Sequence, residues 1–323
     1  MKPRKKFRYG RNESIIGPRT QRCRSGIQSP PGGDAVSMKR REFLAAGIGL
    51  SLALPKIALA QKDVAARAAK TTRMFKSPGL YPNALAVMTD DPGGLWIGQQ
   101  KVTPQSAQTY GLPLDHNQDE AAWLVDWNGK LLKTVNTHSR NTSGMAYGGG
   151  CVWMGANTDP FGIFQVKMNS EQVSHRQIPL SIDGRGGGCH GVKWHKGKLW
   201  IAALRLGGIL RVDPETWVPE VLIRVSSDER PRLHDVAFDN EGNIWVVTGN
   251  NSASYAEGKA GLNKYDGKTG QRLMTVEFEP GSCDPHGLVW HEGRLISCDA
   301  GIHPGWKGME SPHSGYIFRI EIA

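Results

Sequence analysis

An all-β fold built from five repeats of one four-stranded unit is predicted by three observations in the 323-residue chain. One motif recurs: an alternating strand, a tight Gly-containing turn, and a second strand usually centred on Trp. The centres of that second strand, Trp96, Trp153, Trp200, Trp245 and Ile296, lie 57, 47, 45 and 51 residues apart, close to the roughly 40 to 50 residues of a propeller blade. Finally, no stretch after residue 60 shows the 3.6-residue apolar periodicity of a long helix. A single β-propeller of five four-stranded blades meets all three.

The elements follow in chain order. Residues 1–37 are rich in Arg, Lys, Pro, Gly and Ser and poor in apolar side chains, so they cannot bury enough surface to fold; they read as an extension upstream of a natural start at Met38. Residues 38–60 have the layout of a signal peptide. Lys39-Arg40-Arg41-Glu42-Phe43-Leu44 leads into an apolar run, and Ala58-Leu59-Ala60 offers a small-residue cleavage site before Gln61. The run from Phe43 to Leu54 is 12 residues, short of the roughly 20 that span a bilayer, so no retained membrane anchor is expected. The Arg pair resembles the twin-arginine address of proteins exported already folded, which implies the twin-arginine machinery as a partner and a periplasmic or secreted location in a bacterium.

Residues 61–323 are assigned to the propeller. The first halves of its units span 83–97, 143–154, 190–201, 234–246 and 286–297, with turns such as Lys196-Gly197 and Glu292-Gly293 suited to hairpins that need positive φ. The second halves span 122–135, 162–180, 208–225, 261–278 and 315–322. The fifth unit is one strand short at Ala323, and residues 71–75 are placed to supply that strand and close the ring. A sixth unit hidden in the long first repeat is the main alternative.

Charge narrows the partners. The chain carries 40 Lys and Arg against 30 Asp and Glu, but residues 1–60 hold 13 basic and 3 acidic side chains, leaving 27 of each in the remainder. The folded part is neutral, which removes the electrostatic basis for nucleic-acid binding. No nucleophile elbow, P-loop or dinucleotide fingerprint occurs. A monomer acting on a small molecule is expected.

Propeller topology assigns faces. The long loops 99–120, 248–260 and 299–314 share one face, the top, and long loops on a rigid scaffold concentrate function. The short Gly turns on the bottom face read as scaffold. At the top of the first strands the units place Asn83, Ser143, His190, His234 and His286. Three imidazoles in equivalent slots around one axis would repel if protonated, by roughly 4 kcal/mol per pair at about 4 Å and an effective dielectric of about 20. Neutral rings around a cation avoid this; a hydrogen-bonded histidine ring that reads substrate or fills the channel is the other reading.

The His-Gly-Val/Leu, Gly turn and Leu/Ile-Trp pattern, carried around His190 and His234 and in part His286, resembles the streptogramin B lyase family and, more distantly, the gluconolactonase-like propellers. The resemblance implies a divalent metal held by His and Glu that assists elimination across a cyclic ester. That family has seven blades, and its second strands often end in Trp-Phe-Thr-Glu. Here the Glu slot holds Gln99, Ala156, Ala203, Thr248 and Asp299. The expected metal ligands are therefore His190, His234, His286 and Asp299, a set that favours zinc, iron or manganese over magnesium. His303, Tyr255 and Asp284 are expected as the base, with Arg205 to hold a carboxylate or oxyanion. His116 and His313 lie in loops. Cys189 and Cys283 could be ligands or a disulfide across the channel mouth, and Cys151 and Cys298 read as buried thiols. The function expected is a metal-assisted lyase or hydrolase for a small oxygenated molecule, opposed by a non-catalytic propeller anchored through Trp306 and by a redox propeller with a quinone or radical cofactor.

Overall fold

The computed structural model describes residues 56–57, 64, 66–100, 104–110, 120–180, 188–225, 233–249, 260–301 and 312–323. Among these, the strands form sheets of five, four, eight and four, in which antiparallel neighbours mostly succeed one another along the chain. Unit one holds Pro82–Met88, Gly94–Gln99, Ala121–Val125 and Leu131–Asn136. Unit two holds Thr142–Gly148, Cys151–Ala156, Gly162–Lys167 and Gln172–Arg176. Unit three holds Cys189–His195, Lys198–Ala203, Gly208–Val212 and Pro219–Arg224. Unit four holds Val236–Phe238, Ile244–Gly249, Ala260–Tyr265 and Arg272–Phe278. Unit five contributes Leu288–His291, Arg294–Cys298 and Tyr316–Ile322 from its own stretch of chain.

The fourth strand of unit five comes from the other end of the sequence. Ala66–Lys76 pairs antiparallel with Tyr316–Ile322, from Ala69↔Ile322 to Lys76↔Tyr316. Its first residues also pair in parallel with the outer strand of unit four, Ala66 against Thr275 and Ala69 against Phe278. The expected closure through residues 71–75 is therefore present and longer than the alternation indicated. Lys56–Ile57, inside the stretch read as signal peptide, makes a two-residue parallel pairing with Leu222 and Ile223. The innermost strands touch in cyclic order, one to two, two to three, three to four, four to five, and five back to one.

The inner strands bury both faces, and the core lies between neighbouring units. Trp96 packs with Leu124, Met145 and Phe164 between units one and two, and Trp153 with Val192 and Leu210 between two and three. Trp200 with Val246 and Trp245 with Phe318 fill the next two gaps. Ile296 with Leu85 and Trp123 closes the last. A large side chain at the same strand position, Trp in four units and Ile in the fifth, thus wedges successive sheets apart by one side-chain layer, which explains its recurrence.

The bottom turns have the dihedrals that Gly supplies. Lys196 and Gly197 lie at φ 51° and 74°, Glu292 and Gly293 at 47° and 77°, the paired positive values of a type I′ hairpin. Within 99–120, Pro104–Tyr110 is a short helix, and its Ala107 packs against buried Tyr81. Among the described residues this repeat holds no further strands. No helix among them is long and apolar enough to cross a membrane.

Candidate functional site at the top of the axis

The slot residues are aimed by local irregularities of the sheet. In units one, two and three the register shifts between Pro82 and Ala84, Thr142 and Gly144, and Cys189 and Gly191. Asn83, Ser143 and His190 are each the extra residue of a bulge, a device that re-aims a side chain. His234 and His286 precede their assigned strands but extend the ladders, through His234 N–H to Val247 O at 3.0 Å and His286 N–H to Cys298 O at 3.0 Å.

The five meet. The ring centroids of His190 and His234 are 4.6 Å apart, tilted, and those of His234 and His286 are 4.8 Å apart, edge to face. Asn83 Nδ2 donates to Ser143 Oγ at 2.9 Å. Asn83, Ser143, His234 and His286 are buried, and His190 is half-buried. Asn83 Oδ1 is a buried acceptor with no hydrogen-bond partner among the described residues. The amide of Asn157 lies against His190 Nε2. Asp284 flanks His286, with its carboxylate 3.6 Å from His286 Nδ1. Asp299 Oδ2 accepts the Asp284 N–H at 2.9 Å and Oδ1 the Gly301 N–H at 2.8 Å, so its carboxylate holds the top-face loop by the backbone.

Arg205 and His313 are the other expected residues among those described. Arg205 is exposed, on the 3-10 turn Leu204–Leu206 between the second and third strands of unit three. His313 Nδ1 accepts from Arg73 Nε at 3.0 Å, a contact with the closing strand. His303, Tyr255, His116 and Trp306 lie outside the described residues. Cys189, Cys283 and Cys298 are buried free thiols, which excludes a bond between Cys189 and Cys283. Burial pushes the Cys189 thiol up to about 12 and the Cys283 thiol up to about 11, so neither supplies thiolate at neutral pH. Cys151 is disulfide-bonded rather than a thiol. Among the described residues no three His, Cys, Asp or Glu side chains are gathered at ligand distance.

Directly beneath the histidines lies a buried ion pair that sequence reading missed. Lys193 Nζ donates to Asp235 Oδ2 at 2.6 Å, to Leu85 O at 2.7 Å and to Met145 O at 3.2 Å. Asp235 accepts the Leu288 N–H on Oδ2 at 2.7 Å and the Val236 N–H on Oδ1 at 2.8 Å. One pair therefore contacts the innermost strand of every unit. Burial pushes the Asp235 carboxyl up to about 6, against the pull of Lys193 and the two N–H groups. Space for it is left by small residues: a Cβ on Gly191 would lie 2.6 Å from Asp235 Oδ1, and one on Gly287 2.7 Å from Leu85 N. The signal was present in the repeats. One residue after each slot the column reads Ala84, Gly144, Gly191, Asp235, Gly287, and three after it Ala86, Ala146, Lys193, Ala237, Val289. A single acid and a single base each break an otherwise small or apolar column.

Glu120 was also missed. It is buried and accepts from Asn141 N–H at 2.5 Å and from the Thr142 N–H and hydroxyl at 3.1 Å each, which fixes the entry to Ser143.

No family model matches the chain, and no curated protein matches it. Among solved structures it is similar to a chain of hydrazine synthase from Kuenenia stuttgartiensis, at 12% identity and a TM-score of 0.43, over 77% of this chain and 64% of that one. It is also similar to a structural-genomics protein of unknown function from Bacteroides thetaiotaomicron, at 11% identity and a TM-score of 0.44, over 80% of this chain and 76% of that one. A third likeness is to a chain of a nidogen–laminin complex, at 11% identity and a TM-score of 0.44, over 69% and 73%. At these scores they carry no argument about what this chain does.

Proposed function

We propose that the ring of Asn83, Ser143, His190, His234 and His286 is the floor of a site for a small oxygenated molecule, and that the chain is a lyase or hydrolase acting there. The observation that carries this is the meeting of three imidazoles from three units at centroid separations of 4.6 and 4.8 Å. Opening a lactone or eliminating across a C–O bond needs one group to take a proton and another to return it to the departing oxygen. An imidazole nitrogen accepts or donates according to its protonation, so adjacent rings can divide the two roles. Asp284, beside His286 Nδ1, orients that ring. Under the same proposal the export signal in residues 38–60 delivers the site to the periplasm.

A divalent ion on His190, His234 and His286, with Asp299, is right in donor type for zinc, iron or manganese. As placed, the Asn157 amide covers His190 Nε2 and backbone N–H groups take both Asp299 oxygens. The arrangement does not fit an assembled ion site.

The test is turnover of cyclic esters and β-elimination substrates by purified protein, compared with His286→Ala and with the triple change of His190, His234 and His286 to Ala. Turnover on one class, lost by at least roughly a hundredfold in His286→Ala with circular dichroism unchanged, is expected. Equal binding and turnover by wild type and the folded triple variant would overturn the proposal. Stoichiometric metal that disappears with the three imidazoles would transfer the proton chemistry to an ion.

A further inference from the structure

The bottom of the axis carries a second constellation. Four residues after each slot the units place Val87, Tyr147, Trp194, Phe238 and Trp290, all half-buried. These five side chains surround a cavity of about 250 Å³. Behind them lie Ala86, Ala146, Ala237 and Val289, and the Lys193 side chain lies among them. The Lys193 ammonium is consumed by Asp235, Leu85 O and Met145 O, and no acidic side chain lines the cavity. The vestibule is therefore aromatic, methyl-lined and without a free charge at its base.

The aromatic walls are held in place. Tyr147 Oη donates to Asp90 at 2.8 Å, and Trp290 Nε1 donates to Asn240 Oδ1 at 3.1 Å. Phe238 is stacked on His195 with centroids 4.1 Å apart. Trp194 lies over Gly148, where a Cβ would come within 2.1 Å of its ring. Rings fixed before a ligand arrives lose little entropy on binding. A cavity of roughly 150 Å³ holds benzene, so this vestibule, which is open to solvent on one side, has room for a single ring with substituents. Thr89 and His195 complete the lining with polar atoms, which suits hydroxyl groups on that ring.

We propose that this vestibule is a second binding site, on the face opposite the histidines, for one uncharged six-membered ring whose apolar face lies on Tyr147, Trp194, Phe238 and Trp290. The ring chemistry is shared by a pyranose and by a phenol-like arene, and the test separates them. Full-length protein is titrated with methyl glucoside, methyl galactoside, phenol and indole, and with glucuronate and benzoate as charged counterparts, read by saturation-transfer NMR and calorimetry. Saturable binding of one uncharged class is expected, with its charged counterpart at least roughly tenfold weaker. Trp290→Ala should weaken it roughly tenfold. Val87→Trp should abolish it by filling the non-aromatic gap in the wall. His286→Ala should leave ring binding unchanged, so failure here and failure at the histidine site are distinguishable. No saturation below ~10 mM for either uncharged class, equal binding of charged rings, or wild-type affinity in folded Val87→Trp overturns the proposal.

Discussion

Lys193 and Asp235 show how a single residue pair sets the properties of the axis. Breaking such a pair by removing one partner strands a charge in low dielectric, at a cost of about 3–5 kcal/mol. Lys193→Met should therefore lower the stability measured by urea denaturation at pH 7.5 by about that amount, and a matched Lys193→Met, Asp235→Leu double variant should lose less. Acidity matters in a defined direction. Folded Asp235 holds its proton up to about pH 6, whereas its ordinary value is 3.8. Unfolding between those values releases a proton, so this carboxyl makes the fold less stable as pH rises through that window and adds no further change above it. The deficit caused by Lys193→Met should accordingly shrink at pH 5, where Asp235 is largely protonated. A constant deficit across that range would show that the carboxyl does not titrate there.

At the level of the element, the slots depend on how strands begin. A bulge at Asn83, Ser143 and His190 adds one residue at the top of the strand, and the loop that leads into Ser143 is held by the Glu120 carboxylate. Glu120→Gln replaces an acceptor of three hydrogen bonds by an amide whose nitrogen cannot accept, and should cost about 1–3 kcal/mol. It should also weaken ligand binding at the histidine site while leaving the bottom vestibule unaffected, a split that calorimetry on both sites reads. These local features explain what was readable from sequence. Alternation, Gly turns and the Trp column reported the strands, because each unit must bury the same wedge against the next. Bulges left no such mark, since an extra residue changes spacing by one within a motif already variable in length. Glu120 was hidden for a related reason: its partners are backbone N–H groups, which every sequence has.

Over the whole molecule, closure rests on one strand. Ala66–Lys76 covers the edge of Tyr316–Ile322 and meets Arg272–Phe278. Thr72 Oγ1 donates to Glu321 across 249 residues of chain. Deleting residues 64–76 should expose two strand edges, a known route to association, and size-exclusion chromatography should show larger oligomers or aggregate than the intact chain forms at the same concentration. The ring, its closure and the convergence of three histidines were legible because repeats impose rotational equivalence. The bottom vestibule was not, because short turns identify a scaffold edge and say nothing about the side chains that flank the axis beside them.

The contact of one ion pair with every innermost strand has a further consequence for how the protein melts. Linear repeat arrays can fray from an end, because each repeat touches only its neighbours. Here no sector can swing away without uncovering the lysine or the carboxylate, so partial opening is penalised wherever it starts. The amide hydrogens of Leu288 and Val236, both bonded to Asp235, should exchange with solvent only through global unfolding, and calorimetry should record one transition for all five sectors together.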